Sequence, residues 1–256
     1  MPDLRDITAR ILRDILSAFG LLTRLPLPDH QTSGAGSAWA WPLVGAGLGG
    51  LAALMAGLGM WLGLTPGVVA VLVLALGAAM TGGLHEDGLS DTADGLFGGW
   101  TPARRLEIMK DSRVGSYGVL ALVLVTLARW SALEAVLAHA SLWGSLGSLI
   151  AVGALARVPM AVIMAALPNA RGSGLSHATG RPSPRVALVA AGLGLAIALV
   201  FAGFTALPML AALALTTALL ARSARARIGG QTGDILGASQ QLAEAACLAV
   251  LAACAD

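Results

Sequence analysis

Six segments of this chain are long and apolar enough to cross a lipid bilayer as helices, and a seventh is slightly shorter. A spanning helix needs about 20 mostly apolar residues, because the hydrocarbon core is about 30 Å thick and a helix rises about 1.5 Å per residue. The segments are roughly 39–62, 65–84, 118–140, 145–168, 185–204 and 234–254, with the shorter one at roughly 208–222. Composition agrees, since 57% of the 256 residues are hydrophobic and 12% are charged, about half the charged fraction of a soluble domain. We therefore expect an all-α fold, a polytopic transmembrane bundle of six or seven spans.

Residues 1–24 form a different kind of segment. Apolar side chains recur at helical spacing from Leu4 to Phe19, while Arg and Asp residues fill the other positions. This pattern is typical of an amphipathic helix that lies at the membrane interface. The segment lacks the basic start, short apolar core and small-residue cleavage site of a signal peptide, so we expect it to be retained.

Basic residues are concentrated on one side of the predicted bundle. If the chain changes sides at every span, four loops face the same side as the N-terminal helix. These loops are 23–38, 85–117, 169–184 and 223–233. Of the 16 Lys and Arg residues, all but Arg129 and Arg157 lie in that helix, in those loops or at their boundaries. The positive-inside rule predicts that this side is cytoplasmic.

The charge balance gives no sign of a nucleic-acid partner. The formal net charge is +2, and no basic stripe interleaved with aromatic residues is present. We expect one integral membrane domain, 1–256, without a soluble appendage or a clear repeat. Within it, 85–117 is the predicted catalytic cytoplasmic loop and 223–234 is a second polar island.

The acidic segment His85–Gly95, HEDGLSDTADG, directly follows a predicted span. If it is helical, Asp87, Asp91 and Asp94 project from one face. Like charges at this spacing repel each other unless something neutralises them, and Mg²⁺ does so with carboxylate and phosphate oxygens as ligands. His85 is a candidate general base, since imidazole titrates near neutrality, or a hydrogen-bond partner of a carboxylate. The alternative for the whole segment is a solvated loop with ordinary surface acids.

A basic island follows at Arg104–Gly118. Lys110 and Arg113 lie near the acidic segment, and the Arg fork matches a phosphate group while Lys supplies a point charge. We interpret these two residues and Asp111 as functional. The alternative is a basic loop that only sets the membrane topology.

A third island precedes the last span. Gly229, Gly230, Thr232 and Asp234 could hold a phosphate or a second metal ion at the start of a helix. A plain loop that ends in a helix N-cap explains the same residues equally well.

Two arginines lie inside predicted spans. Intramembrane charges usually face the bundle interior, so Arg129 and Arg157 are expected to pair with Glu134 and Glu244. We interpret this pairing as structural.

The three islands together resemble the cobalamin synthase family, the adenosylcobinamide-GDP ribazoletransferases. The matching stretches are TRLPLP at Thr23–Pro28, LHEDGLSDTADGLFGG at Leu84–Gly99, RRLEIMKDSRVGSYG at Arg104–Gly118 and GGQTGD at Gly229–Asp234. Their order and spacing agree along the whole chain. The family often has an apolar residue at position 86, so we do not expect Glu86 to bind a metal.

The resemblance implies an enzyme of the bacterial inner membrane with Mg²⁺ as its cofactor, held by Asp87, Asp91 and Asp94. It would transfer the cobinamide phosphoryl group of adenosylcobinamide-GDP to α-ribazole or α-ribazole 5′-phosphate, and GMP would leave. The catalytic residues would be His85, Asp87, Asp91, Asp94, Lys110 and Arg113. The substrates would be bound by Arg24, Asp111, Ser112, Gly229, Gly230, Thr232 and Asp234.

Two other classes of protein remain as alternatives. Another Mg²⁺-dependent membrane transferase, of the CDP-alcohol phosphotransferase or prenyltransferase type, would share an Asp-rich segment, although a prenyltransferase usually has a second one and the third island has only Asp234. An ion-coupled transporter would place its acids near the bilayer midplane, whereas these follow the end of a span. The expected partners are small-molecule substrates and membrane lipid, and a homo-oligomer is left open.

Overall fold

A computed structural model of the chain describes residues 4–254, and its regular structure is helical. The helices are α1 (Leu4–Leu22), α2 (Trp41–Trp61), α3 (Pro66–Thr81), α4 (Leu84–Gly98), α5 (Pro102–Ile108), α6 (Ser116–His139), α7 (Leu142–Ala156), α8 (Val158–Ala166), α9 (Leu175–Thr179), α10 (Pro184–Ala202), α11 (Ala206–Ile228) and α12 (Gly233–Ala253). Short 3₁₀ turns at Gly34–Ala40 and Gly203–Thr205 lead into α2 and α11. Across residues 4–254 there is no β-strand, only an isolated bridge between Asn169 and Gln231. The predicted all-α class is confirmed.

Several helices are long and apolar enough to cross a membrane, so the chain is a multi-pass membrane protein. Length and composition give five candidate spans among the described residues, or six if α3 and α4 count as one bent span. The five are Gly34–Trp61, Ser116–His139, Trp143–Ala166, Pro184–Ile228 and Gly233–Ala253. The predicted upper count of seven is not established by this criterion, which treats the 45-residue segment containing α10 and α11 as one span.

The 45-residue segment doubles back on itself. As one straight helix it would be about 67 Å long, about twice the thickness of the hydrocarbon core. Instead, the residues that flank its two ends both contact the C-terminal end of α8 or the residues just after it. Nε of Arg181 donates to the carbonyl of Ala165 at 2.9 Å, and the N–H of Gln231 donates to the carbonyl of Pro168 at 2.8 Å. Gly203, with φ of 58°, lies between the two helices. These contacts support α10 and α11 as separate crossings, as the seven-span prediction requires.

Helix α11 is longer than the predicted segment 208–222. Pro208 does not prevent an earlier start, because it lies in the first turn, where a proline's missing N–H costs no hydrogen bond. At the other end the helix continues through Arg222, and Arg225 and Arg227 occupy its last turn. Basic side chains there interact favourably with the helix dipole.

The predicted loop at 85–117 is largely helical. It contains most of α4 and all of α5, so the segment between the predicted spans is not an extended loop but carries two helices. The physical reason is that α4 buries an apolar face with Leu89, Ala93 and Leu96, which offsets the cost of its carboxylates. Helix α1 is present as predicted, and its position at the membrane interface stays a prediction.

Helix α12 lies at the centre of the bundle. It packs against α4, α6, α7, α8 and α11. Helices α2 and α7 approach each other closely at glycines, since a Cβ on Gly49 would lie 2.4 Å from the carbonyl of Leu149. Such small residues permit close packing of helices in lipid, where no hydrophobic force drives them together.

Candidate active site

A sharp bend places the acidic helix across the end of the bundle. Helices α3 and α4 meet at 89°, and the bend is made by Gly82 and Gly83, with φ of 65° and 70°. This left-handed region is readily accessible only to glycine. Arg24 lies beside the bend: its N–H donates to the carbonyl of Met80 at 2.8 Å, and a Cβ on Gly82 would lie 2.6 Å from its Nε. The predicted substrate-binding Arg24 is therefore adjacent to the start of α4.

Glycine contacts bring α4 against α12. A Cβ on Gly88 would lie 2.9 Å from the carbonyl of Asp234, and a Cβ on Gly237 would lie 3.2 Å from the carbonyl of Leu84. At this separation Asp87 and Asp234 line the same cavity. The first and third islands, which are far apart in sequence, therefore meet at one site.

The third carboxylate of this site is Asp91. It is half-buried one turn beyond Asp87 on α4, and it lies within electrostatic range of Asp87, Asp234 and Arg171. Two of the three predicted metal ligands are thus near Asp234.

Arg171 is a site residue that the sequence reasoning missed. Its Nη2 donates to Oδ2 of Asp234 at 2.6 Å, and Thr232 Oγ1 donates to the same oxygen at 3.2 Å. The side chain of Arg171 is only 13% exposed. In the sequence the indication of this role was weak, because Arg171 is one of two arginines in the predicted loop 169–184. The glycine that follows it, Gly172, was the only other hint.

The third island is held in place by backbone contacts to the loop after α8. The N–H of Gln231 donates to the carbonyl of Pro168, and the N–H of Ala170 donates to the carbonyl of Gln231, both at 2.8 Å. Gly230 permits this approach, because a Cβ there would collide with the carbonyl of Pro168. Gly229 ends α11 with φ of 77°. The close backbone approach at Gly230 and the positive φ of Gly229 therefore explain these glycines without a substrate. Thr232 is the N-cap of α12.

Asp94 contacts the start of α6. Its Oδ2 accepts from the N–H of Gly115 at 2.7 Å and its Oδ1 accepts from the N–H of Gly118 at 2.9 Å. The carboxylate thus satisfies N–H groups at the start of α6, where the positive end of the helix dipole lies. Each oxygen of Asp94 thus accepts one backbone N–H from the start of α6, and its predicted role as a metal ligand stays a prediction.

No set of three or more His, Cys, Asp or Glu side chains within residues 4–254 is arranged to hold a metal ion by itself. The metal-binding role of Asp87, Asp91 and Asp94 stays a prediction.

The basic island lies on the surface beside Asp94. Arg113 donates from Nη2 to Asp111 Oδ2 at 2.6 Å and from Nε to Oδ1 at 3.1 Å. These hydrogen bonds lower the pKa of the Asp111 carboxyl to about 2. Lys110 and Ser112 are exposed. A shallow cleft includes Asp94, Asp111 and Arg113 but neither Asp87 nor Asp234, so the structure brings the basic island only to the edge of the carboxylate site.

His85 is buried between two cavities. It is 1% exposed, and neither ring nitrogen has a hydrogen-bond partner among residues 4–254. On one side it lines the cavity of about 130 Å³ that contains Asp87, Arg171 and Asp234. On the other side it lines a smaller polar cavity, of about 60 Å³, inside the bundle. A buried imidazole without a protein partner is available to a ligand or to water.

The smaller cavity contains the two intramembrane arginines. Arg129 Nη2 donates to Glu244 Oε1 at 2.6 Å, and Arg157 Nη1 lies 3.8 Å from Glu244 Oε2. Glu86 is 3.7 Å from Arg129 and accepts from Gln241 at 3.0 Å. The predicted pairing with Glu244 is confirmed. Glu134 forms no ion pair in the described part of the chain, and Glu86, for which no metal-binding role was expected, faces this interior network instead.

These features define a polytopic helical membrane enzyme whose carboxylates and one half-buried arginine meet at one end of the bundle. The chain belongs to the cobalamin-5-phosphate synthase family, whose sequence model matches residues 14–252. It is 43% identical over 248 residues to the adenosylcobinamide-GDP ribazoletransferase of Bradyrhizobium diazoefficiens, with 95% of this chain and 94% of that protein covered. It is 42% identical over 250 residues to the protein of the same name from Brucella ovis, covering 93% of this chain and 95% of that protein. No solved structure matches the chain significantly. The family resemblance read from the four sequence stretches is confirmed.

Proposed function

We propose that this chain transfers the cobinamide phosphoryl group of adenosylcobinamide-GDP to α-ribazole, or to α-ribazole 5′-phosphate, and releases GMP. The names of the relatives and the family support this reaction. The structural observation that carries the proposal is the cavity in which Asp87, Asp234 and Arg171 meet. The alternatives of a CDP-alcohol phosphotransferase, a prenyltransferase or a transporter have no such support.

In the proposed reaction the 3′ oxygen of the acceptor ribose bonds to the phosphorus on the cobinamide arm. The bond from that phosphorus to the oxygen bridging it to GMP breaks, and the bridging oxygen leaves with GMP. The hydroxyl proton passes to a base that lines the cavity. His85 is the candidate, because its ring nitrogens have no partner within residues 4–254 and it shares the cavity with Asp87.

Phosphoryl transfer depends mainly on positioning and on stabilising negative charge. Arg171 is suited to this task, since a guanidinium binds two phosphate oxygens at once. Its present partner, Asp234, holds it in the cavity before a substrate arrives. We keep Lys110 and Arg113 as candidates for the remaining phosphate oxygens, because both are exposed at the same end of the bundle.

The carboxylates of Asp87, Asp91 and Asp234 suit Mg²⁺, which prefers oxygen ligands and is often held by one or two carboxylates together with substrate phosphates. Bound Mg²⁺ would polarise the phosphoryl oxygens and stabilise the leaving GMP. In this assignment Asp234 replaces Asp94 as the third carboxylate. Asp94 keeps the start of α6 in place beside them.

We further propose that the protein resides in the bacterial inner membrane with this site on the cytoplasmic side. The concentration of basic residues at that end supports the orientation. Large apolar side chains such as Leu54, Leu188 and Val200 are between 71% and 78% exposed, which suits contact with lipid.

The direct test is to incubate the purified, detergent-solubilised protein with adenosylcobinamide-GDP, α-ribazole and Mg²⁺ and to measure GMP. We expect GMP in equal amount to the cobalamin formed, and none when the acceptor is omitted. Excess chelator should stop the reaction, and added Mg²⁺ should restore it. Absence of GMP from a well-folded preparation would contradict the proposal, and undiminished activity in chelator would contradict the role of Mg²⁺.

A further inference from the structure

We infer that the cavity of about 130 Å³ beside Asp87 and Asp234 is the binding pocket for the base of the acceptor nucleoside. The inference rests on the proposed function and adds a location for one of its two substrates. The cavity lies where α1, α2, α4, α8 and α12 meet, next to the carboxylates. It has an apolar part and a polar part, and the two parts suit the two halves of a riboside.

The apolar part is formed by buried side chains. Leu22 is 2% exposed, Trp41 is 1%, Met160 is 4% and Met164 is 1%, and all four line the cavity. Thioethers and an indole form favourable contacts with a flat aromatic ring. These walls match the benzimidazole ring of α-ribazole, whose methylated edge is apolar and needs no hydrogen-bond partner.

Of the four buried side chains that form the apolar part, Trp41 has a hydrogen-bond donor, and the rest of the lining includes the hydroxyl residues Ser173, Ser176 and Thr179. The indole N–H of Trp41 is buried and has no acceptor among residues 4–254. A benzimidazole riboside has one free ring nitrogen, which is an acceptor, so one donor satisfies it. A guanine ring has several donors and acceptors at its edge, and burying them against Leu and Met side chains without partners would be costly. The four apolar side chains therefore match the benzimidazole ring of the acceptor better than the polar edge of guanine.

The polar part of the cavity places a ribose next to the proposed chemistry. Asp87, Arg171 and Asp234 line it, as does His85 with its unpartnered ring nitrogens. A base held against Trp41 and Met164 would direct its sugar toward these groups. The same cavity thus offers both recognition of the base and the groups that act on the ribose hydroxyl.

The test uses Trp41→Phe, which keeps an aromatic ring and removes the N–H. We expect the KM for α-ribazole to rise about 5- to 10-fold, as for the loss of one hydrogen bond, while the KM for adenosylcobinamide-GDP and kcat change less than about 2-fold. Trp39→Phe is the matched control, because the N–H of Trp39 donates to Asp14 at 3.0 Å and Trp39 does not line the cavity. A rise confined to the KM for adenosylcobinamide-GDP, or unchanged kinetics in Trp41→Phe, would overturn the inference.

Direct binding gives a second measurement that does not require turnover. We expect α-ribazole to quench tryptophan fluorescence in the unmodified protein and in Trp39→Phe, with most of the quenching lost in Trp41→Phe. Guanosine at the same concentration should not compete. Competition by guanosine would assign the cavity to another ligand. Equal quenching in the two variants would show that α-ribazole does not bind beside Trp41, and either result would overturn the inference. If α-ribazole binds as expected but the protein releases no GMP, the pocket stands and the proposed reaction fails.

Discussion

Arg171 donates a hydrogen bond to Asp234 at 2.6 Å, although the two residues are 63 positions apart in sequence. The pair joins the loop after α8 to the first turn of α12. It also sets a cation within the group of carboxylates formed by Asp87, Asp91 and Asp234, whose charges repel one another. A phosphate bound to Arg171 would take the place of the Asp234 carboxylate. A metal ion bound to the carboxylates would take the place of the Arg171 guanidinium.

Replacing Arg171 should therefore impair catalysis more than folding. We expect Arg171→Ala to lower kcat/KM about 100-fold or more, by analogy with the loss of one group that stabilises the transition state. Arg171→Lys should recover only part of this, because an ammonium group cannot bind phosphate as a fork. Arg104→Ala is the control, since within residues 4–254 the ion pair of Arg104 is with the exposed Glu107. Equal activity in the Arg171 and Arg104 variants would remove Arg171 from the site.

Asp87 and Asp94 should behave differently although they share one helix. Asp87→Asn should abolish GMP release with little change in melting temperature, because Asp87 is exposed and its side chain forms no hydrogen bond or ion pair within residues 4–254. Asp94→Ala should lower stability by about 1–2 kcal/mol, as for a lost helix cap, and Asp94→Asn should lower it less. Thermal melting in detergent and GMP release measured on the same samples give the comparison. If Asp94→Asn melts normally and is inactive, Asp94 is a ligand after all.

The close contact of α4 and α12 should tolerate no added side-chain atom. Gly88→Ala would place a Cβ 2.9 Å from the carbonyl of Asp234, so the helices must separate and Asp87 must move away from Asp234. We expect a loss of activity of at least about 100-fold, because a displacement of about 1 Å costs that much in a positioned site. Gly192→Ala is the control, since nothing lies within 4 Å of that position. Normal activity in Gly88→Ala would show that the carboxylates do not act together.

The interior ion pairs should govern stability. Glu244→Gln leaves Arg129 and Arg157 buried without their main counter-charge, and we expect it to destabilise the protein by about 3–5 kcal/mol, as for a broken buried pair. Glu134→Gln should have little effect, because no ion pair of Glu134 occurs in the described part of the chain. Detergent-solubilised yield and thermal melting measure both. Equal stability of the two variants would mean that water or lipid compensates the arginines.

The sequence predicted well what depends on local periodicity. Hydrophobic segments of spanning length, the amphipathic start of the chain and the i, i+4, i+7 spacing of the acids each follow from side chains within a few turns of one helix. For that reason α1, α4 and the apolar helices are present close to where they were predicted. The distribution of Lys and Arg likewise predicted that the polar islands share one side. The contacts of Gln231 with Pro168 and of Arg171 with Asp234 agree with that prediction.

Only the tertiary structure decided what the individual side chains do. The spacing placed Asp87, Asp91 and Asp94 on one face of α4, but it could not show that the start of α6 occupies both oxygens of Asp94. Nor could it show that Asp234 and Arg171 take up the position beside Asp87, since that depends on how closely Gly88 and Gly237 allow two distant helices to approach. Local sequence determined the helices and predicted that the polar residues share one end of the bundle. The composition of the site was decided by packing between segments far apart in the chain, because such contacts have no periodic signature in one sequence.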